Sequence, residues 1–279
     1  MKAAIVGIGL IGGSMALALK EKGLAQQVIG VDQNEAHTNK ALELGLVDEV
    51  LPLEDAIDAV DLVVLAVPVS AIATLAPTVL DYVQNQVVMD VGSTKLAMIE
   101  AIANHPKRSR FVASHPMWGT EYSGPEAAVR GAFEQKATVI CNRKDSDADA
   151  VALVENLYRA LGMHLVYMDA ASHDVHVAYI SHISHITSFA LANTVLEKER
   201  EEDAIFELAS AGFESTVRLA KSNPDTWASI FMQNRENVLD VLNEHISQLR
   251  KFKACLEKEN YPYLAELMNN ANRIKKILK

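Results

Sequence analysis

The segment KAAIVGIGLIGGSMALALKEKG, residues 2–23, decides the fold of this chain. Its first apolar run, residues 2–6, is typical of a buried parallel strand, and helix-forming residues follow from 14 to 22. Between them lies Gly7-Ile8-Gly9-Leu10-Ile11-Gly12, with the spacing G-x-G-x-x-G. Glycines with this spacing between a strand and a helix indicate a dinucleotide-binding turn.

Each glycine of this turn has a predicted role. Gly7 permits the tight turn, Gly9 lets the pyrophosphate approach the backbone, and Gly12 lets the helix pack closely on the strand. Leu10 and Ile11 complete the predicted contacts, because the N-terminus of the helix offers free N–H groups and the positive end of its dipole to phosphates.

An acidic residue after the second predicted strand bears on the choice of dinucleotide. That strand, residues 28–31, ends at Asp32, 20 residues after Gly12. A carboxylate at this position accepts hydrogen bonds from a ribose 2′-hydroxyl and repels a 2′-phosphate. Gln33 and Asn34 follow it, with no arginine, so we expect NAD rather than NADP.

The composition of the 279 residues is that of a soluble globular protein, 49% hydrophobic and 22% charged, with no apolar run long enough to span a bilayer. The chain starts on a predicted core strand rather than a signal peptide, and Cys141 and Cys255 form no recognisable motif. We therefore expect a cytoplasmic protein without a disulfide framework. The net charge of −10 disfavours non-specific binding to nucleic acid.

Strands and helices alternate through the first part of the chain. Further strands are predicted at residues 62–67, 87–91, 111–114, 138–141 and 165–168, with helices at 34–44, 70–83, 96–104 and 147–161. Alternation of this kind predicts an α/β fold with a doubly wound, mostly parallel Rossmann sheet. We place this domain at residues 1–169.

The pattern changes after Asp169. Residues 170–279 contain no convincing strand and have long helical periodicities, as in the apolar stripe over residues 238–256. They predict an all-α domain, in which Ser222 or Asn223 caps a helix with Pro224 in its first turn. About 110 helical residues have few layers in which to bury their apolar faces, so we expect a homodimer.

Polar side chains follow two of the predicted strands. Ligands bind beyond the carboxyl ends of parallel strands, so Ser93 and His115 are expected to meet near the nicotinamide, with Val67 and Pro68 beside the cofactor. A neutral histidine takes a hydroxyl proton well near pH 7, and a serine hydroxyl can hold the imidazole or the substrate in register. The alternatives are a His115 bonded only to backbone and a Ser93 that caps a helix.

The helical half holds four histidines that are close in sequence: His173, His176, His182 and His185. At about 100° per residue, the first two lie roughly opposite the other two, so we expect no metal site on this helix. Ser181 and His185 share a face, which either lines a pocket or forms a satisfied core pair. Arg218 suits a carboxylate clamp, and a surface arginine paired with a nearby acid is the simpler alternative.

These motifs together resemble those of the prephenate/arogenate dehydrogenase family of tyrosine biosynthesis, over nearly the whole chain. The glycine motif is shared by many families, whereas four other segments in this order are specific. They are Asp90-Val91-Gly92-Ser93-Thr94-Lys95, Ser114-His115-Pro116-Met117-x-Gly119-Thr120-Glu121, Ser181-His182-x-x-His185, and Gly212-Phe213 to Arg218 followed by Asn223-Pro224-Asp225-x-Trp227.

The resemblance implies an NAD(P)-dependent oxidative decarboxylation of a cyclohexadienol, and a helical half that dimerises. His115 would take the C4 hydroxyl proton as hydride leaves C4 for nicotinamide, Ser93 would orient His115 and the hydroxyl, and the ring carboxylate would leave as CO2. The residues that would hold substrate carboxylates are Arg218, His185 and Ser181, and those of a mobile loop over the site are Thr120 and Glu121.

Two residues depart from the family pattern, and the first of them bears on the expected substrate. Trp118 stands where many members have alanine, and its ring would narrow the pocket. Ser215 stands where many have aspartate three residues before the arginine, which puts an acid–arginine contact there in doubt. We expect prephenate as substrate, with arogenate as the near alternative. A non-catalytic NAD-sensing protein and a dehydrogenase of β-hydroxy acids are the other candidates.

Overall fold

The computed structural model describes residues 1–200 and 205–277 of the chain. The strands within these residues are β1 (Lys2–Val6), β2 (Gln27–Val31), β3 (Glu49–Val50), β4 (Leu62–Leu65), β5 (Val87–Asp90), β6 (Phe111–Pro116), β7 (Ala137–Cys141) and β8 (His164–Met168). The helices are α1 (Leu10–Glu21), α2 (Glu35–Glu43), α3 (Leu53–Asp58), α4 (Val69–Tyr82), α5 (Leu96–Ile102), α6 (Ala148–Ala160), α7 (Ala170–Val177), α8 (Ile183–Glu199), α9 (Ala211–Val217), α10 (Pro224–Gln233), α11 (Arg235–Glu257) and α12 (Tyr261–Ala271).

The strands form one sheet in the order β3-β2-β1-β4-β5-β6-β7-β8. Neighbouring strands are parallel except β6 and β7, which are antiparallel. The order runs outwards from β1 in both directions, as in a doubly wound sheet. The predicted α/β fold with a mostly parallel sheet is confirmed.

The central strands are buried on both faces because helices cover each side of the sheet. Alternate residues of β4 enter opposite cores: Leu62 and Val64 belong to one apolar cluster, and Val63 and Leu65 to the other. Since β1, β2, β4, β5 and β6 run in the same direction, the segments that follow them lie at one edge of the sheet. This edge carries the candidate site.

The helix α1 starts earlier than predicted, at Leu10 rather than Ser14. Its first turn includes the buried pair Gly12 and Gly13, and a Cβ on Gly12 would overlap with the carbonyl oxygen of Gly7. Glycine is therefore required here by close packing and does not mark a break in the helix. The short elements β3 and α3 were not predicted, because two to six residues are too few to show a periodicity.

Residues 170–200 and 205–277 form helices and contain no strand, as predicted. The predicted cap is also confirmed, because the Asn223 side chain accepts hydrogen bonds from the N–H groups of Asp225 and Thr226, with Pro224 first in α10. The chain separates into two compact units, Met1–Asn234 and Arg235–Lys279. Among the described residues, no helix is both long and apolar enough to cross a membrane.

The prediction that His173 and His182 lie on opposite sides of their helix is wrong. Both rings are buried, at 0% and 1% exposure. A π-helical turn, Ala178–His182, separates α7 from α8 and breaks the 100° periodicity that the prediction assumed. His182 lies close to the residue after His173, because the Asn234 amide is within hydrogen-bond distance of both His182 Nδ1 and the backbone oxygen of Asp174. His176 is exposed, and no group of three metal-ligating side chains occurs in the part of the chain that the structure describes.

Candidate active site

The glycine loop joins β1 to α1 at the carboxyl edge of the sheet. Gly7 has a φ of 93°, and a side chain there would meet the backbone of Ala66 and the side chain of Val67. At Gly9, by contrast, nothing lies within 4 Å of the position of a Cβ. No described side chain caps the N-terminus of α1, which begins beside Gly9. Such a helix N-terminus suits a phosphate.

Asp32 lies against this loop at the end of β2. Its Oδ2 accepts a hydrogen bond of 2.9 Å from the Ile8 N–H, and its Oδ1 accepts one of 2.9 Å from Asn34. His37 Nδ1 is 3.4 Å from the same Oδ2. The fold thus brings the predicted acid to the predicted glycine turn, and Val67 lies beside Gly7 after β4, with Pro68 next as the N-cap of α4.

His115 lies near the carboxyl end of β6, and its side chain is almost wholly buried. Burial lowers the pKa of the imidazole well below 6.5, and the nearby His173 and Lys95 lower it further. A buried histidine loses the hydration that stabilises its charged form, so it is neutral near pH 7. His115 is therefore in the protonation state that a general base requires.

A chain of hydrogen bonds runs behind His115 into the helical part of the first unit. His115 Nδ1 lies 2.9 Å from His173 Nε2, and His173 Nδ1 lies 2.8 Å from Asp174 Oδ1. The two rings meet edge to face, with centroids 5.1 Å apart. The Asp174 carboxylate also accepts hydrogen bonds from the N–H groups of Lys95 and Leu96. It thereby ties α7 to the start of α5.

The site also contains a buried ion pair between Lys95 and Asp90. The Lys95 ammonium donates to Asp90 Oδ2, and both side chains are fully buried. The other Asp90 oxygen accepts from the Ser114 N–H at 3.1 Å, next to His115. Gly92 N–H also donates to Asp90 Oδ2, at 2.9 Å. One carboxylate therefore holds together the segments that follow β5 and precede His115.

Ser93 lies half-buried in the segment between β5 and α5. Within the described residues, no hydrogen bond joins it to His115, whose Nδ1 is bonded to His173 instead. The neighbouring Thr94 hydroxyl donates to Gln233 Oε1 of α10 at 2.6 Å. The loop that carries Ser93 is thus connected to α10.

His185 stacks on an indole that the sequence did not predict in this role. Its ring is 3.3 Å from the ring of Trp227, centroid to centroid, at an angle of 21°. Its Nδ1 lies 3.1 Å from the backbone oxygen of Ser181, so the predicted i, i+4 pair shares a face. Burial lowers the pKa of His185, the bond to Ser181 raises it, and the positive charge of Arg218 lowers it.

Arg218 pairs with Glu121, another of the predicted site residues. Its Nη1 lies 3.0 Å from Glu121 Oε2, with half of the arginine side chain exposed. Glu121 belongs to the segment after β6, where Thr120 is exposed and its hydroxyl accepts from the Tyr122 N–H. The pair connects the segment that follows His115 with the segment that follows α9.

Two family models match consecutive parts of the chain. The nucleotide-binding domain of prephenate dehydrogenase matches residues 15–167, and its dimerization domain matches residues 169–270. The chain belongs to the prephenate dehydrogenase family. The predicted family, the predicted oxidoreductase class and the presence of a nucleotide-binding domain are thus confirmed.

Three proteins of known name illustrate the similarity to this family. The cyclohexadienyl dehydrogenase of Zymomonas mobilis is 30% identical over 279 residues, which is 99% of this chain and 95% of that protein. The prephenate dehydrogenase of Aquifex aeolicus, solved with hydroxyphenyl propionate and NAD+, superposes with a TM-score of 0.91 at 29% identity, over 100% and 98% of the two chains. An arogenate dehydrogenase from Synechocystis has a TM-score of 0.79 at 27% identity over the full length of both chains.

The two departures from the family pattern have clear positions. The Trp118 ring is half-buried and packs edge to face on Phe133, with centroids 5.6 Å apart, so at least part of it belongs to the core. Ser215 donates its hydroxyl to the backbone oxygen of Gly212. The acid beside Arg218 comes instead from Glu121, on a distant part of the chain.

Sequence reasoning missed four residues of this site: His173, Asp174, Lys95 and Trp227. Lys95 and Trp227 fall within the segments that carry the family resemblance, but neither was given a role. The available signal for Asp174 was an acidic residue beside a histidine on a helix. Its partners Lys95 and Leu96 are almost 80 residues away, so no local pattern links them.

Proposed function

We propose that this protein catalyses the NAD-dependent oxidative decarboxylation of prephenate to 4-hydroxyphenylpyruvate, a step of tyrosine biosynthesis. The observation that carries the proposal is the buried, neutral His115 at the edge of the sheet that also holds the glycine loop and Asp32. Such a pairing of a base with a dinucleotide site suits removal of a proton and a hydride from one carbinol.

The residues of the glycine loop fit NAD. Gly9 leaves open space beside the uncapped N-terminus of α1, as an approaching pyrophosphate requires, with Leu10 and Ile11 in the first helical turn. Asp32 stands where a ribose hydroxyl would be bound and a 2′-phosphate repelled. NAD, when bound, supplies the hydride acceptor. The NAD+ in the Aquifex aeolicus structure supports this choice.

In this proposal, His115 moves the proton. Its imidazole takes the proton of the C4 hydroxyl as the C4 hydride departs. The electrons of the bond to the ring carboxylate then enter the ring as CO2 leaves. The ring becomes aromatic, and the imidazole returns the proton to the ring oxygen, so no net proton is released. Ser93, half-buried at the adjacent loop, would orient the substrate hydroxyl.

The substrate's carboxylates would be held by Arg218 and His185, with Ser181 beside them. Arg218 is half-exposed, so its guanidinium can reach a substrate carboxylate, and its positive charge acts on the His185 ring. Thr120 and Glu121 would cover the site from the segment after β6. Glu121 is paired with the guanidinium of Arg218 in the structure, so a substrate carboxylate would compete with Glu121 for this group.

Arogenate is the second candidate substrate, and Glu121 is the observation that favours it. Arogenate carries an amine in place of the keto group of prephenate. An acid 3.0 Å from the guanidinium would place a negative charge beside that amine. The names of the relatives include prephenate, arogenate and cyclohexadienyl dehydrogenases, so they leave the choice between the two substrates to experiment.

We further propose a homodimer formed through the helical domain. The match to the family's dimerization domain supports it, as do the exposed apolar side chains of α11 and α12, among them Leu239, Leu249, Leu256 and Met268. The family models meet near residue 169, which supports the division into a Rossmann domain, 1–169, and a helical domain, 170–279. The cytoplasmic location stays a prediction.

One experiment tests the reaction and the cofactor together. The purified protein is mixed with NAD or NADP and with prephenate or arogenate, and the absorbance of the reduced nicotinamide is followed. Turnover with prephenate and NAD is the expected result. Turnover with arogenate but not with prephenate would show that arogenate is the substrate. Absence of turnover in all four mixtures, with NAD still bound, would favour an NAD sensor or another dehydrogenase.

A further inference from the structure

We propose that His173 and Asp174 hold His115 in the one neutral tautomer that leaves Nε2 free to accept a proton. In this assignment they are positioning residues, which act on the substrate only through His115. The inference deepens the proposed function and rests on it, since His115 is there the base.

The carboxylate of Asp174 fixes which nitrogen of His173 carries the hydrogen. Its carboxylate lies within hydrogen-bond distance of three nitrogens: Lys95 N at 2.8 Å, Leu96 N at 3.0 Å and His173 Nδ1 at 2.8 Å. The two backbone groups are obligate donors, so the carboxylate accepts from both. An ionised carboxylate has no hydrogen to give, and His173 Nδ1 must therefore carry the hydrogen of the third bond.

The position of the hydrogen on His173 in turn determines its position on His115. A neutral imidazole has one N–H, so His173 with its hydrogen on Nδ1 has a bare Nε2. That Nε2 is 2.9 Å from His115 Nδ1, which must donate. The hydrogen of His115 is then on Nδ1, and its Nε2 has the free lone pair that a general base needs.

The imidazole rings of His115 and His173 are both neutral. His115 and His173 are buried, and burial lowers the pKa of each below 6.5. The positive Lys95 opposes protonation of both rings, while Asp174 and Asp90 favour it on His173. His182 also faces this group, and the Asn234 amide donates both to the backbone oxygen of Asp174 and to His182 Nδ1. The network therefore determines which nitrogen of each ring holds its single hydrogen, and neither ring gains a second hydrogen.

The direct test is the tautomer of His115 in the full-length protein. Nitrogen NMR of histidine-labelled protein, without nucleotide or substrate, distinguishes a protonated nitrogen from a bare one. Comparison with His115→Asn identifies the signals of His115. We expect a protonated Nδ1 and a bare Nε2 at neutral pH. A ring protonated at Nε2, or at both nitrogens, would overturn the proposal.

Two substitutions of His173 separate its positioning role from a structural one. His173→Leu removes the acceptor, so we expect the Nε2–H form of His115 to appear and kcat to fall roughly 100-fold, with KM little changed. His173→Gln keeps an amide oxygen that can accept from His115 Nδ1, so it should retain the wild-type tautomer and recover most of kcat. Thermal midpoints show whether each variant is folded.

The outcomes distinguish this inference from the proposed function. If His173→Leu does not fold, the tautomer of His115 in the wild type and the kcat of His173→Gln still test the inference. A folded His173→Leu with unchanged kcat and tautomer would contradict the inference. If the wild type has the expected tautomer but turns over neither substrate, the proposed function fails, and the hydrogen-bond assignment stands as a structural property of the protein.

Discussion

At the residue scale, the proposed chemistry depends on a single histidine that burial keeps neutral. We expect His115→Asn to lower kcat by roughly 10²- to 10⁴-fold, because it removes the nitrogen that accepts the proton. NAD affinity should be unchanged, since the glycine loop follows a different strand. Steady-state kinetics and a nucleotide titration measure the two quantities. The control is His164→Asn, an exposed histidine of β8. Unchanged turnover in the first variant would remove His115 from the mechanism.

A second residue, Arg218, is expected to act on substrate binding rather than on chemistry. Loss of a charge-assisted hydrogen bond costs about 1.5–3 kcal/mol, so Arg218→Ala should raise KM roughly 10- to 100-fold with a smaller change in kcat. Lys221→Ala is the matched control, because this exposed cation lies in the same short helical segment, Arg218–Lys221. An unaltered KM in Arg218→Ala would indicate that the arginine forms only a surface pair with Glu121.

At the scale of elements, two glycines in the turn from β1 to α1 are expected to meet different requirements: Gly12 is needed for folding, and Gly9 for binding of the cofactor. A Cβ on Gly12 would overlap with the Gly7 oxygen, so Gly12→Ala should destabilise the fold by about 1–3 kcal/mol or more. Gly9→Ala meets no protein atom within 4 Å and should keep the thermal midpoint while weakening NAD binding. Thermal unfolding and nucleotide titration of both variants check this. Equal losses of stability would contradict the assignment.

The elements that could be predicted from the sequence are those with a periodicity of their own. The run at β1, Lys2–Val6, is predicted to the residue because five consecutive positions favour a buried strand. The π-helical turn Ala178–His182 has no such pattern, and it misled the placement of His182. In the site, His115 follows a recognisable strand. His173 and Asp174 act through residues that the fold brings from far along the chain, so local patterns did not give them a role.

At the scale of the whole molecule, buried histidines make the free energy of unfolding depend on pH. Burial lowers the pKa of His115, His173, His182 and His185, and that of His182 falls to about 4, although Asp174 opposes the shift. The unfolded chain takes up these protons as pH falls below 6.5, whereas the folded protein does not. Stability is therefore complete above pH 6.5 and decreases as the pH falls below that value.

The size of this effect is set by the difference between the two pKa values of each histidine. For His182, a change from 6.5 to about 4 corresponds to about 3 kcal/mol, lost progressively over that range. The carboxylates whose pKa is lowered, such as Asp169, titrate below this range, so unfolding by urea between pH 7 and about 5 reports mainly the histidines. His182→Gln should flatten the dependence, and the exposed His164→Asn should leave it unchanged. A free energy of unfolding that is constant from pH 7 to 5 would show that these rings gain protons in the folded state as readily as in the unfolded chain.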